Sequence, residues 1–416
     1  MVKKMSFALI FLFALFGINM AQSADSSKIA RLEKRIKKLE DKVEESELEK
    51  ILNEAEAKAD EKEEKGKTTT FKSGQRSLQA INPEISVTGD QFALFTANEN
   101  KYYPELKSGA YFRVLGIHIQ SNLDPFSFAK VAVEINPEGI ELGEVYATWT
   151  KFLPQISLTA GKFRQQFGVV NRWHAHSLDQ FDFPLAMTTI LGADGLNQTG
   201  LSFDWTMPSI TADANSLILQ ITNGQNDNLF AGEVFTFPSV LARFKNYWDL
   251  SRNAYLELGF TGMYGRNKSP IYDSAGTQTG ENNGTTLLGG LDLTYFWEPL
   301  NQALYKSFIW RSELYYGNKE LYNDRITALG GYSYIEYKFA EQWQAGARFD
   351  YTQPFEIDNS SKYSYQIVPY ITYWQSHWVK LRLQYNYLNG TEYPEAVNTI
   401  RLQLVWAVGP HKHDRY

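Results

Sequence analysis

The chain has 416 residues, with 41 Lys+Arg against 47 Asp+Glu, a formal net charge of −6 and no cysteine. The missing cysteines exclude disulfide scaffolds, thiolate metal sites and Cys nucleophiles, and the charge balance without a basic block argues against a nucleic-acid partner. Aromatic residues make up 15% of the chain, as 25 Tyr, 26 Phe and 10 Trp, and that excess needs an explanation.

Residues 1–23 read as a secretory signal. Lys3 and Lys4 form a positive start, Phe7 to Ile18 an apolar stretch too short to span as a mature helix, and Ala21 and Ser23 the small residues before a cut at Ala24. Residues 24–65 are then rich in charge, with Lys, Arg, Asp and Glu at well over half the positions and no aromatic residue. Ile29, Leu32, Ile36, Leu39 and Val43 recur at alternating intervals of three and four, which is the a/d seam of a short α-helical coiled coil. Leu48, Leu52, Ala55 and Ala59 continue it as a weaker stripe. So short a seam fixes no oligomer state, and a larger domain must bring the helices together if they pair. Residues 66–83, with Gly66, Thr68–Thr70 and Gly74, read as a linker.

From residue 84 to 416 the character inverts, and apolar residues alternate with polar ones. Val379, Leu381, Leu383, Tyr385 and Tyr387 share one parity, while Lys380, Arg382, Gln384 and Asn386 share the other. Side chains of a strand point to opposite faces with period two, so one face is apolar and the other charged. A β-sandwich would also alternate. Two further features favour a transmembrane barrel. Sixteen candidate strands are readable at 84–96, 109–122, 125–136, 141–152, 155–164, 198–206, 216–223, 238–247, 253–265, 285–297, 305–317, 328–339, 342–354, 362–374, 376–388 and 397–408. Most exceed globular strand lengths and suffice to cross a bilayer at a tilt. Their connections also alternate short and long, with 165–197 the longest; the others on the long side include 97–108, 224–237, 266–284 and 318–327. A bilayer explains that sorting, because backbone groups in lipid must be paired and only closed barrels pair them with strands. Trp297, Trp343, Trp374 and Trp378 then fall near the short turns, and Tyr315, Tyr316, Tyr351, Tyr385 and Tyr387 towards the long loops, as two interfacial girdles. The expected fold is all-β: a 16-stranded antiparallel transmembrane β-barrel preceded by the short coiled coil.

The segments GKFRQQFG (161–168), PLAMTTILGADGL (184–196), LARFKNYWDLSRNAYLELGFTG (241–262), LRLQYNYLNG (381–390) and LQLVWAVGPHKH (402–413) resemble outer-membrane porins of the phosphate-selective porin O/P type. The resemblance implies a homotrimeric sixteen-stranded porin whose third outer loop folds into the lumen, with an anion pathway of arginines and lysines. Some members also carry an N-terminal coiled coil.

Strand parity puts Arg243, Lys245, Arg311, Lys338, Arg348, Lys380, Arg382 and Arg401 on the inner wall, nearly balanced by inner acids. Arg311 with Glu313, Glu336 with Lys338 and Arg348 with Asp350 could equally be salt bridges along that wall. The long loop is the candidate constriction, with Lys162 and Arg164 at its base and Arg172, His174 and His176 within it, against Asp179 and Asp182. Fixed positive charge there would lower the entry barrier for anions. His174/His176 and His411/His413 lack an evident third ligand, so no metal is expected. No phosphate-binding loop, nucleophile elbow or zincin motif is present, so neither a cofactor nor an enzyme is expected. The expected activity is passive diffusion of small hydrophilic or anionic solutes across the outer membrane, with membrane lipid as the surrounding partner and the helix in the periplasm. The alternative is a structural anchor whose coiled coil tethers the barrel to peptidoglycan or a periplasmic partner.

Overall fold

In the computed structural model, residues 83–97, 103, 105–232, 236–272, 277–356 and 361–409 are described. The signal segment, the coiled coil, the linker up to residue 82 and the tail from residue 410 lie outside them.

Among the described residues, sixteen long strands join into one closed antiparallel barrel. They are β1 (Glu84–Thr96), β2 (Gly109–Asp124), β3 (Ser127–Asn136), β4 (Gly139–Leu153), β5 (Ile156–Arg164), β6 (Asn197–Met207), β7 (Ala214–Thr222), β10 (Ser239–Ser251), β11 (Ala254–Tyr272), β12 (Gln278–Trp297), β13 (Ser307–Glu320), β14 (Arg325–Ala340), β15 (Trp343–Gln353), β16 (Ser364–Ser376), β17 (Val379–Gly390) and β18 (Val397–Val408). Two short strands, β8 (Gln225–Asn226) and β9 (Phe230–Ala231), make a hairpin in the loop between β7 and β10. Each barrel strand pairs with its neighbour in the chain, and β18 closes on β1 from Val87↔Val408 to Thr96↔Thr399.

Alternation sets the two faces. On β17, Lys380, Arg382, Gln384 and Asn386 are at most 4% exposed, while Leu383 and Tyr385 are 47% and 37% exposed. Apolar side chains therefore point outward and polar ones inward, the reverse of a water-soluble domain and the arrangement a lipid-facing wall requires. Every expected strand forms, but three expected loops are shorter than the sequence suggested. The segment 266–284 is mostly ladder, since β11 and β12 stay paired out to Tyr272↔Gln278. Its rungs are polar, with the buried Asn267 amide donating to Thr286 Oγ1 at 2.9 Å, so no apolar alternation marked it as strand. Likewise β13 and β14 pair out to Glu320↔Arg325, and the β8–β9 hairpin occupies part of 224–237.

Two girdle aromatics are also misplaced. Tyr316 is 48% exposed on the outer face, but Tyr315 is 1% exposed on the inner one, sharing parity with Arg311 and Glu313. Trp374 likewise turns inward, where its indole N–H donates to Gln344 Oε1 at 2.8 Å. Position along the strand suggested a girdle; parity decides the face.

The largest apolar core lies inside the barrel. Loop residues Phe167, Val170, Leu178, Met187, Ile190 and Leu191 pack with Leu241, Leu288, Tyr315, Ala328 and Tyr332 of the inner wall. The longest loop is thus a packed part of the lumen.

Candidate functional site

The chain leaves β5 at Arg164 and returns to the wall at Asn197. Between them lie 3-10 turns at Val170–Arg172 and Ala175–Ser177 and one short helix, α1 (Leu185–Leu191). Pro184 precedes the helix, and Gly192 at φ 95° ends it, a conformation that costs glycine little. One face of the loop is apolar and packs as described. Its polar groups are fixed to the wall at three places.

The first is Glu313 on β13. Its carboxylate accepts the Val169 and Val170 backbone N–H groups, both at 3.0 Å, and the hydroxyls of Tyr315 at 2.7 Å and Tyr332 at 2.6 Å. Gly168 approaches this carboxylate with φ 65°, and a Cβ there would collide with it. Four donors satisfy a charge that would be costly to bury alone.

The second place runs along β13–β18. Asp179 accepts the Tyr334 hydroxyl at 2.6 Å and lies 3.6 Å from Arg311. Arg311 in turn sits over the Trp173 ring, 4.7 Å from its centroid. Asp182 accepts from Gln384 at 2.9 Å and Asn386 at 3.0 Å and pairs with Arg348 at 3.3 Å. Burial pushes the Asp182 carboxyl up, but Arg348, Arg401 and the side-chain amides of Gln384 and Gln366 outweigh it and hold it below the usual carboxylate range. Arg348 also donates to the Asp182 carbonyl at 2.8 Å and pairs with Asp350 at 2.9 Å. Phe181 is clamped between two guanidinium groups, with Arg113 at 4.2 Å and Arg401 at 5.0 Å from its ring centroid. A register break between Asp90 and Gln91 leaves Arg113 unpaired on β2. There it reaches the Phe181 carbonyl at 2.6 Å and Asp90 at 3.3 Å.

The third place is on β2–β4, across the ring from β13 and β14. The two ring nitrogens of His174 pair with Glu134 at 2.6 Å and Glu144 at 3.0 Å, and Lys130 lies 3.3 Å from Glu144. Burial alone would lower the His174 pKa; the two carboxylates reverse that and raise it above the ordinary imidazole value. His118 of β2 and His176 stand beside it, with ring centroids 4.8 to 5.7 Å apart. With anchors on opposite walls, the loop crosses the lumen and narrows it. On the short-turn side, a cavity of about 790 Å³ opens beneath it, lined in part by His176, Lys338, Gln344, Trp374, His377 and Lys380.

Most of the inner-wall bases expected from the sequence are held by partners. Arg243 pairs with Asp292 at 2.7 Å and Lys245 with Glu257 at 2.8 Å. Lys380 donates to the His176 carbonyl at 3.2 Å, and Arg382 to the Leu178 carbonyl at 3.0 Å. Arg348 pairs with Asp350 as its position suggested. Arg311 does not pair with Glu313: it turns to Thr294, Tyr334 and Asp179 because Glu313 is spent on the loop. Arg164 donates to the Asp194 carbonyl at 3.1 Å across the loop base, and Arg172 to Gln166 at 3.2 Å. Lys162 is the displaced one. It lies opposite the exposed Val145 on the outward face, with its Nζ 2.7 Å from the Leu142 carbonyl, so it is not at the narrowing.

Sequence reasoning passed over Arg113, His118, Tyr332 and Tyr334 as site residues. The last two carried a usable signal, since tyrosines on the charged parity of a strand face the lumen. Arg113 carried none, because only the register break aims it.

No protein-family model matches the chain. An uncharacterized protein of Aquifex aeolicus (strain VF5) is 25% identical over 290 residues, which is 64% of this chain, and the match spans 60% of that relative's length. Among solved structures, the anion-selective porin from Comamonas acidovorans is similar with a TM-score of 0.54 and 10% identity, over 78% of this chain and 99% of that one. OprB of Pseudomonas putida gives 0.53 at 10% identity, over 81% and 97%. The loop L8 deletion mutant of OmpT, an outer membrane protein of Vibrio cholerae, gives 0.53 at 11% identity, over 78% and 99%. The likeness at such identities is one of fold: the chain has the closed sixteen-stranded barrel of outer-membrane porins.

Proposed function

We propose that the protein is a passive outer-membrane porin that admits small hydrophilic solutes by diffusion and prefers anions. The observation that carries this reading is a closed wall with a lipid-compatible outside and a polar inside, crossed by a loop fixed at both sides. Such a loop narrows the aqueous path without sealing chemistry into it, and a narrowed path selects by width and fixed charge. Arg113 and Arg401, flanking Phe181 at the narrowing, supply positive charge. The short segments resembling phosphate-selective porins support the same preference.

Planar-bilayer reversal potentials under a KCl gradient test it. The intact channel is expected to be anion-selective. The double substitution Arg113→Gln and Arg401→Gln should move the reversal potential at least halfway towards zero, and Lys162→Gln should leave it unchanged. Cation selectivity in the intact protein, or no response to the arginine pair, refutes the preference.

The resemblance to trimeric porins supports a homotrimer with periplasmic helices, in which three tethered copies raise the local helix concentration enough for the short seam of residues 24–65 to pair. Deleting residues 25–65 should leave a heat-modifiable, conducting barrel while weakening the trimer on native gels. Loss of heat-modifiable migration would mean that the barrel depends on the helix.

A further inference from the structure

The cluster of His118, His174 and His176 is unlike the other two anchors, because it is built of three imidazoles in mutual contact. His174 and His176 come from the loop and His118 from β2. All three are at most 7% exposed, and their rings touch one another with centroids 4.8, 5.4 and 5.7 Å apart. There is little slack: a Cβ on Gly116 of β2 would lie 3.1 Å from His176 Cε1.

The charges facing the cluster come from five strands. β3 supplies Glu134 and Lys130, β4 supplies Glu144, β5 ends at Arg164 beside them, and β17 brings Lys380 onto the His176 carbonyl. β14 contributes Lys338, which lines the same cavity as His176 together with Glu341 and His377 of the short turns and the uncharged Thr88 of β1. The carboxylates of Glu134 and Glu144 are matched by Lys130 and a protonated His174, Lys338 offsets Glu341, and Arg164 and Lys380 add further positive charge. A second or third imidazolium here would meet net positive surroundings.

We propose that His118, His174 and His176 form an acid-released latch, which holds the β5–β6 loop to β2–β4 at neutral pH and frees it when His118 and His176 take up protons. The proposal deepens the porin reading by assigning that narrowing a regulator. The sign of the effect is diagnostic. His174 has a raised folded pKa, so its own ion pairs are fully formed below the ordinary imidazole value and are lost only as pH rises through the raised one. His174 alone would keep the loop tethered in acid. Release on acidification must come from the added charge on its two neighbours.

The chain has no cysteine, so a nitroxide on Ala175→Cys, between the two loop histidines, reports the loop in the full-length protein. Its spectrum should be immobilised at pH 7.5 and mobile at pH 5, and single-channel conductance of the unlabelled protein should rise at least twofold over the same interval. With His118→Asn and His176→Asn together, both responses should vanish. An immobile label at both pH values, a flat conductance in the unlabelled protein, or the same release in the histidine variant would overturn the latch. A label that frees in acid and depends on the two histidines, in a protein that passes no current at any pH, would uphold the latch and reject the porin reading.

Discussion

Glu313→Ala is expected to detach the loop from β13 and raise single-channel conductance severalfold, while the barrel stays closed. The carboxylate is the common acceptor of the Val169 and Val170 N–H groups and of the Tyr315 and Tyr332 hydroxyls. Each buried donor left unsatisfied costs about 1–3 kcal/mol. With four of them, the loss is on the order of several kcal/mol, enough to overturn the local packing of a loop but borne by a segment outside the strand ladders. Glu313→Gln separates charge from acceptance. Its amide oxygen can still take the two backbone N–H groups, so its conductance should lie close to that of the intact channel. Equal currents from all three proteins would mean that the apolar core around Phe167 and Met187 holds the loop unaided.

Arg348→Met should instead damage the barrel. Arg348 and Asp350 are 1% and 0% exposed and pair at 2.9 Å, so removing the guanidinium strands a buried carboxylate. Breaking such a pair from one side costs about 3–5 kcal/mol, and the temperature at which the folded band disappears on gels should fall by several degrees. Replacing Asp350 as well, with Leu, removes the stranded charge. Asp182 keeps Gln384 and Asn386, so the double variant should recover most of the loss. A double variant no more stable than the single one would assign the effect to packing rather than charge.

The wall was legible in the sequence because period-two alternation is a local signal. Lys380 to Tyr387 announce which side each residue takes without reference to any other strand. The long loop stood out by its length, while its place in the lumen was implied only by the porin resemblance. Its partners were not legible at all. Asp182 meets Gln384 and Asn386 some two hundred residues further on, and no spacing rule links them. Strand parity also fails at breaks in the ladder. Arg113 enters the lumen at the β1–β2 register shift, and Lys162 faces out where the alternation of β5 gave no clear lead. Tyr315 was misread because a tyrosine near a strand end suits a girdle, although its parity matched Glu313.

The joint between β18 and β1, with Thr96 set against Thr399, constrains how the molecule is made. The first strand must wait for the last before its free margin is covered, so a product stopped short of residue 397 would present two raw sheet edges open to other chains. Until the final twelve-residue strand pairs, those two margins stay open to association with other copies.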